Sequence, residues 1–188
     1  MQKYRFSLTG ASLMVKEFVE LAVVLVGSNL DYTKISSSDV NKDRETTRKR
    51  EFAELELRMQ QLSKEEIEYL AEATIENQKL ISFLACVRLY RILREFIEDV
   101  VWDRLFVFDY QLHSKDLIGF MYNKSLHIPE VEQLSDSTQK KIQQVIFKMM
   151  EQAGLIDNVQ SKKIQVPFLD YTMQSLLSDN DKKYLLNL

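Results

Sequence analysis

The sequence predicts an all-α, mainly helical protein with one small β-hairpin near its C-terminal end. Three observations carry this expectation. The 188 residues include only four Gly and two Pro, and a sandwich or barrel needs more turns than these supply. Apolar residues recur at steps of three and four along most of the chain. Hydrophobic residues make up 45% and charged residues 28%, the balance of a folded globular chain rather than a disordered one.

The first helix reads over residues 12–27, with Leu13, Met14, Phe18, Leu21, Ala22 and Leu25 as its apolar stripe and Gly27-Ser28-Asn29 as its stop. The apolar run 21–26 is far shorter than the roughly 20 residues of a spanning helix. Lys16, Glu17 and Glu20 precede it and no small-residue cleavage site follows, so no membrane contact is expected and the location is expected to be cytoplasmic. Residues 35–39 form a polar break. A charged helix follows over 41–61, burying Phe52, Leu55, Met59 and Leu62. Ser63 and Glu66 make a capping box for a helix through Leu70. Another helix covers 75–87. Residues 90–108 carry a wide apolar face, Leu93, Phe96, Ile97, Val100, Val101, Leu105 and Phe108, which predicts a central position. Arg88, Arg91 and Arg94 precede Glu95, Glu98 and Asp99, so local charge pairs are available.

The pattern shifts near Leu112. A helical bundle over 1–112, which could include a helix-turn-helix, is expected to precede a winged-helix-like unit with a C-terminal helix over 113–188. In the second part Ser114 caps a short helix over 115–123, and Pro129 breaks the chain. Asp136 with Gln139 resembles a capping box. The helix it opens turns Ile142, Val145, Ile146, Met149, Met150 and Ala153 inward, and Gly154 takes the left-handed position after it. Apolar Leu155-Ile156 and Ile164-Gln165-Val166 flank a polar tip at 157–163, a hairpin signature. Helices over 168–178 and 182–186 follow.

Reactive residues are scarce. One Cys and two His exclude a disulfide framework and a Cys-rich zinc site. His113 and His127 lack partners at metal-ligand spacing. Cys86 lies within an apolar helix face and reads as a small buried hydrophobe. Glu65, Glu66, Glu68, Glu72 and Glu76 read as a solvated face. No catalytic residue, metal, cofactor or small-molecule substrate is expected.

Binding chemistry is better represented. Opposite the apolar stripe of the 136–153 helix stand Ser137, Lys140, Lys141, Gln144 and Lys148, and the hairpin tip carries Lys162 and Lys163. Residues 135–163 hold five Lys against Asp136, Glu151 and Asp157, a local charge of +2 in a chain of net charge −3. In a winged helix the second helix of such a pair enters the major groove and the hairpin touches the flanking backbone. Lysines neutralise phosphates and glutamine reaches base edges. The alternative is a helix whose lysines serve only solubility. Arg44, Arg48, Lys49 and Arg50 form a second basic cluster, with Thr46 and Thr47 among them. It reads equally as a phosphate contact or as a helix laced by Glu45–Lys49 and Arg50–Glu54 pairs, with Arg58 continuing the row.

These residues resemble the BrxA family, small accessory components of the bacteriophage exclusion (BREX) defence systems of bacteria. The resemblance begins in Tyr4-Arg5-Phe6-Ser7-Leu8-Thr9-Gly10-Ala11-Ser12-Leu13 with Glu17 and Ala22. It continues over residues 58–62, Ala85-Cys86, Tyr90 and Phe96. It is strongest in Ser137-Thr138, Lys141, Gln144-Val145 and Phe147-Lys148-Met149, ending at Glu151, Ala153, Gly154 and Leu155. It covers about residues 4–156 through the order of several weak motifs. Gly10-Ala11-Ser12 departs from the Gly pair usual there. The resemblance implies a non-enzymatic, cytoplasmic protein that binds double-stranded DNA and supports phage restriction. The family has also been likened to an RNA-binding antitermination fold and called a membrane protein; the short apolar run argues against the latter. The resemblance supplies no site residues, so the DNA contacts expected here rest on charge alone.

The leading expectation is therefore a double-stranded-DNA-binding accessory protein acting mainly through phosphates. A protein–protein adaptor docking larger BREX components, through Tyr171, Met173 and Tyr184 if these are exposed, is the second. RNA binding ranks lower because aromatics fall mostly on apolar faces.

Overall fold

The computed structural model describes residues 3–10, 12–40 and 43–187. Asn41 and Lys42, where the sequence starts its second helix, and Ala11 of the N-terminal motif lie outside the described residues.

The chain is mainly helical. A 3-10 turn at Ser7–Gly10 precedes α1 (Val15–Gly27), and two further 3-10 turns lead to α2 (Glu45–Met59), α3 (Lys64–Glu72) and α4 (Ile75–Leu89). The stripe read for α1, from Leu13 to Leu25, is buried throughout. At α3 the capping box forms: the Ser63 hydroxyl accepts the Glu66 N–H at 3.2 Å and the Glu66 carboxylate accepts the Ser63 N–H at 2.7 Å. The stretch buried on every side lies in α4, not in residues 90–108. Every residue from 80 to 87 is buried, and α1, α2, α3, α5 (Arg91–Phe96), α9 (Asp136–Ala153) and α11 (Asp179–Tyr184) all pack against it. A helix apolar all round belongs at such a hub.

Residues 90–108 are not one α-helix. After α5 the chain widens into a π-helical turn at Ile97–Val101 and resumes as α6 (Trp102–Phe106). The wider turn lets Phe96, Ile97 and Val101 all reach the core. Phe108 falls off this face: it has a positive φ of 57° and is 80% exposed. The chain turns there because the Asp109 N–H bonds back to the Arg104 carbonyl at 2.9 Å.

The next helices are α7 (Ser114–Ser125), α8 (Pro129–Glu132) and α9. Ser114 opens α7 instead of capping it; the Asp116 carboxylate accepts the His113 N–H at 2.7 Å. Likewise Ser135, not Asp136, caps α9, accepting the Thr138 N–H at 3.3 Å. Gln139 donates to the Leu134 carbonyl instead of closing a box. Gly154 ends α9 with φ 77°, and the Leu155 N–H reaches the Met150 carbonyl at 2.9 Å. The rings of Phe96, Phe120 and Phe147 meet edge to face, joining α5, α7 and α9 in one core.

Around residues 157–163 the described residues form isolated antiparallel bridges, Ile156 with Ile164 and Gln111 with Lys163. Side chains shape the turn: Asp157 accepts the Lys163 N–H, and Asn158 Oδ1 accepts the N–H groups of Gln160 and Ser161. The helix expected over 168–178 is confined to α10 (Tyr171–Leu176), because Asp170 caps the Met173 N–H and fixes the start. The last helix, α11, begins at Asp179 under a Ser178 cap, earlier than residue 182.

Several charges and tail residues sit deeper than their spacing suggests. Arg58 is fully buried instead of continuing a surface row, and Glu66 is buried instead of solvated. Glu66 is paired bidentately with Arg88, which also bonds Asp181 at 3.0 Å. Met173 and Tyr184 are core residues, whereas Tyr171 is 85% exposed. Tyr184 stacks on Trp102 and donates to Glu98 at 2.6 Å. Among the described residues no helix is long and apolar enough to cross a membrane, and no group of three or more His, Cys, Asp or Glu side chains could hold a metal ion.

Candidate nucleic-acid interface

The exposed side of α9 follows from its heptad-like polar spacing. Ser137, Lys141, Gln144 and Lys148 succeed one another at steps of three and four, with Lys140 beside them, and all five are exposed. The opposite stripe, Ile142 to Ala153, is buried. Burial of the apolar face thus fixes the rotation of the helix and aims its lysines outward.

These lysines meet a second wall. A cleft of about 680 Å³ is lined by Lys140, Lys141, Gln144 and Lys148 of α9, by Lys162 from the turn, and by Thr9, Gly10 and Ser12 from the N-terminal segment. Among the described residues no carboxylate lines it. Lys162, in a left-handed conformation with φ 58°, carries its ammonium 5.3 Å from the centre of the Phe147 ring. Lys148 pairs with Glu151, whose carboxyl this hydrogen bond holds below its ordinary range. The Asp157 carboxyl is likewise held low, first by the Ser161 hydroxyl and then by backbone N–H groups. Among the described residues Lys140, Lys141 and Lys162 have no carboxylate partner, so their charge is available to an anion.

The second basic cluster divides. Lys49 pairs with Glu45 at 2.6 Å, as the spacing predicts. The Arg50–Glu54 pair does not form; Glu54 is buried and accepts hydrogen bonds from Ser7 and Tyr90. Arg50 instead lays its guanidinium over Gly10, where a Cβ would stand 3.7 Å from Cζ and Nε, and Nη2 lies 3.5 Å from the Gly10 carbonyl. Thr9 and Gly10 line both the lysine cleft and a smaller pocket containing Arg50. Arg50 therefore lies across a one-residue-thick wall from the α9 lysines. Arg44, Arg48 and Lys49 do not line the cleft, nor do Ser137 and Lys163. Lys163 is committed through its backbone to Gln111 and Asp157. Charge patterning gives no sign of Thr9, Gly10 or Ser12, whose side chains are neutral; they enter the sequence reading only through the family resemblance.

The arrangement offers a row of ammonium groups beside hydroxyls in an open concave surface, suited to a polyanionic backbone. Among the described residues its lining holds no Cys, His, Asp or Glu. Cys86 is fully buried, and burial pushes its thiol pKa up.

No curated protein matches the sequence. A solved structure, described as an uncharacterized protein from Magnetospirillum magneticum, superposes with a TM-score of 0.78 at 18% identity, covering 99% of this chain and 97% of that one. At that identity the likeness concerns the fold. The BrxA family model matches residues 2–181, nearly the whole chain. The chain therefore belongs to the BrxA family, the BREX-associated family its sequence resembles.

Proposed function

We propose that this protein is a non-enzymatic, cytoplasmic accessory component of a BREX phage-defence system that binds double-stranded DNA mainly through phosphates. The observation carrying this reading is the carboxylate-free cleft where Lys140, Lys141, Lys148 and Lys162 face the N-terminal segment. The order of elements supports a winged-helix reading of the C-terminal part. Gln111 bridges Lys163, α7 and α9 follow, and Ile156 bridges Ile164 beside the lysine-bearing turn. In such a unit α9 would enter the major groove, with Gln144 near base edges, while the turn would follow the backbone. The test is an anisotropy titration with duplex DNA, single-stranded DNA and RNA at two salt concentrations. The expected result is preference for the duplex and steep weakening with salt. No duplex binding at low salt would overturn the proposal.

A second reading, docking of a larger BREX component, is favoured by a different surface. Phe106, Val107 and Phe108 are 66%, 71% and 80% exposed in succession, and Phe106 and Phe108 border an open pocket with Tyr110 and Val166. Three consecutive exposed apolar residues invite a partner. Replacing Phe106 and Phe108 with Asp should abolish co-purification with BREX components while leaving duplex affinity unchanged. Retained co-purification would reject this surface.

A further inference from the structure

We infer that Glu54, Tyr90 and Arg58 are positioning residues that hold the N-terminal wall of the lysine cleft in place. Its consequence for affinity rests on the duplex-binding reading above; the anchoring itself does not.

The wall, Thr9, Gly10 and Ser12, is neutral and belongs to no α-helix. The core holds it on both sides. Upstream, the Ser7 hydroxyl donates to Glu54 Oε1 at 2.8 Å, and Leu8 is fully buried. Downstream, Arg58 Nη1 donates to the carbonyls of Ser12 at 2.8 Å and Leu13 at 3.2 Å. Tyr90 connects the two anchors: its hydroxyl donates to the same Glu54 oxygen and accepts from Arg58 Nε at 3.0 Å. A third tie comes from the opposite wall, where Gln152 of α9 accepts the Leu13 N–H at 3.0 Å.

Burying a guanidinium and a carboxylate is a poor way to add stability, since a well-packed apolar set of equal volume does as well or better. The role inferred for this network is to fix geometry. Here Arg58 directs hydrogen bonds to the main-chain carbonyls of Ser12, in the wall, and of Leu13, just after it. The backbone records the constraint: Met14, directly after the clamp, is held at φ 55°, ψ 44°, a left-handed conformation costly for a residue with a side chain. The wall is thus preformed, and a ligand does not have to order it.

The test uses Tyr90→Phe, which removes the connecting oxygen and keeps the ring, and Gln152→Ala, which cuts the tie to α9 without exposing a buried charge. Hydrogen exchange read on peptides covering 6–14 should accelerate about tenfold or more in both variants, while peptides from α4 and α9 change little. Duplex Kd should rise about three- to tenfold while the slope of log affinity against log salt stays as in the wild type, because every lysine remains. Unchanged exchange in 6–14 in Tyr90→Phe, or equal acceleration along the whole chain, would overturn the anchoring. Accelerated exchange with unchanged Kd would overturn its role in binding. If the wild type binds no duplex, the duplex reading fails, and the exchange result alone decides whether the network holds the wall.

Discussion

The steepest demand on the duplex reading is made by removing charge from one side of the cleft. In the triple variant Lys140→Ala, Lys141→Ala, Lys162→Ala, the lost cations are those without a carboxylate partner among the described residues. Lys148 remains in the cleft, and Arg50 lies behind its N-terminal wall. Four cleft cations engaging four phosphates give a salt slope of about −3.6, and one gives about −0.9, at roughly 0.9 per neutralised phosphate. Raising salt from about 50 to 200 mM should then weaken the wild type about 150-fold and the variant about 3.5-fold. Lys140 and Lys141 are exposed, so each should cost within about 0.5 kcal/mol, and Lys162 also gives up its contact with the Phe147 ring, about 0.5–1 kcal/mol, so the melting temperature should move little. Fluorescence anisotropy on a short duplex across a salt series reads both slopes. A variant slope within one unit of the wild-type slope would refute the assignment of phosphate contacts to these lysines, whatever the absolute affinities.

Other expectations concern the scaffold. Glu66→Gln removes the charge that meets Arg88 bidentately and keeps a weaker cap on Ser63. Arg88 retains Asp181, so the cost should be about 2–3 kcal/mol in urea unfolding; a loss below about 1 kcal/mol would contradict the burial argument. Burial pushes the Glu95 carboxyl up, but hydrogen bonds from Lys124, Tyr4 and Arg91 outweigh it and leave the pKa below the ordinary range. A depressed folded pKa gives stability that is complete above the unfolded value of about 4.3 and is lost as pH falls through the folded value. The stability gap between wild type and Glu95→Gln should therefore narrow below about pH 4.3, and a gap constant from acid to neutral pH would count against it. At Gly154 an added Cβ would meet nothing within 4 Å, so Gly154→Ala should cost only the strain of the left-handed backbone, about 1 kcal/mol. An unchanged melting temperature would show that the helix end relaxes.

Local signals were legible where one helix turn contains both halves of the interaction. The Ser63–Glu66 box, the Glu45–Lys49 pair, the stripe of α1 and the left-handed Gly154 all involve residues within a few positions of each other. The lysine row on α9 was legible for the same reason. Arg58 and Glu66 were misread because charge in a sequence carries no depth. Their partners lie far along the chain: the Ser12 and Leu13 carbonyls are 46 and 45 positions from Arg58, and Arg88 is 22 from Glu66. Phe108 was misassigned because the helix ends at Phe106 and the chain turns with a positive φ at Phe108, while Leu105 just before it is buried as its spacing predicts. In the sequence the two basic clusters lie on separate helices, far apart along the chain. In the fold, Gly10 brings one member of the first cluster, Arg50, beside the second, while Arg44, Arg48 and Lys49 do not line the cleft.

The bond between Leu13 and Gln152 joins residues 139 positions apart. During synthesis, at about 5–20 residues per second, residues 7–13 emerge many seconds before their partner helix exists. Loop closure over such a distance cannot begin until α9 has left the ribosome. A nascent or truncated chain ending before α9 would display Arg50 but neither the lysine row nor the tie to it. The lysine cleft is thus among the last parts of the molecule to mature, and an incomplete chain would carry little of it.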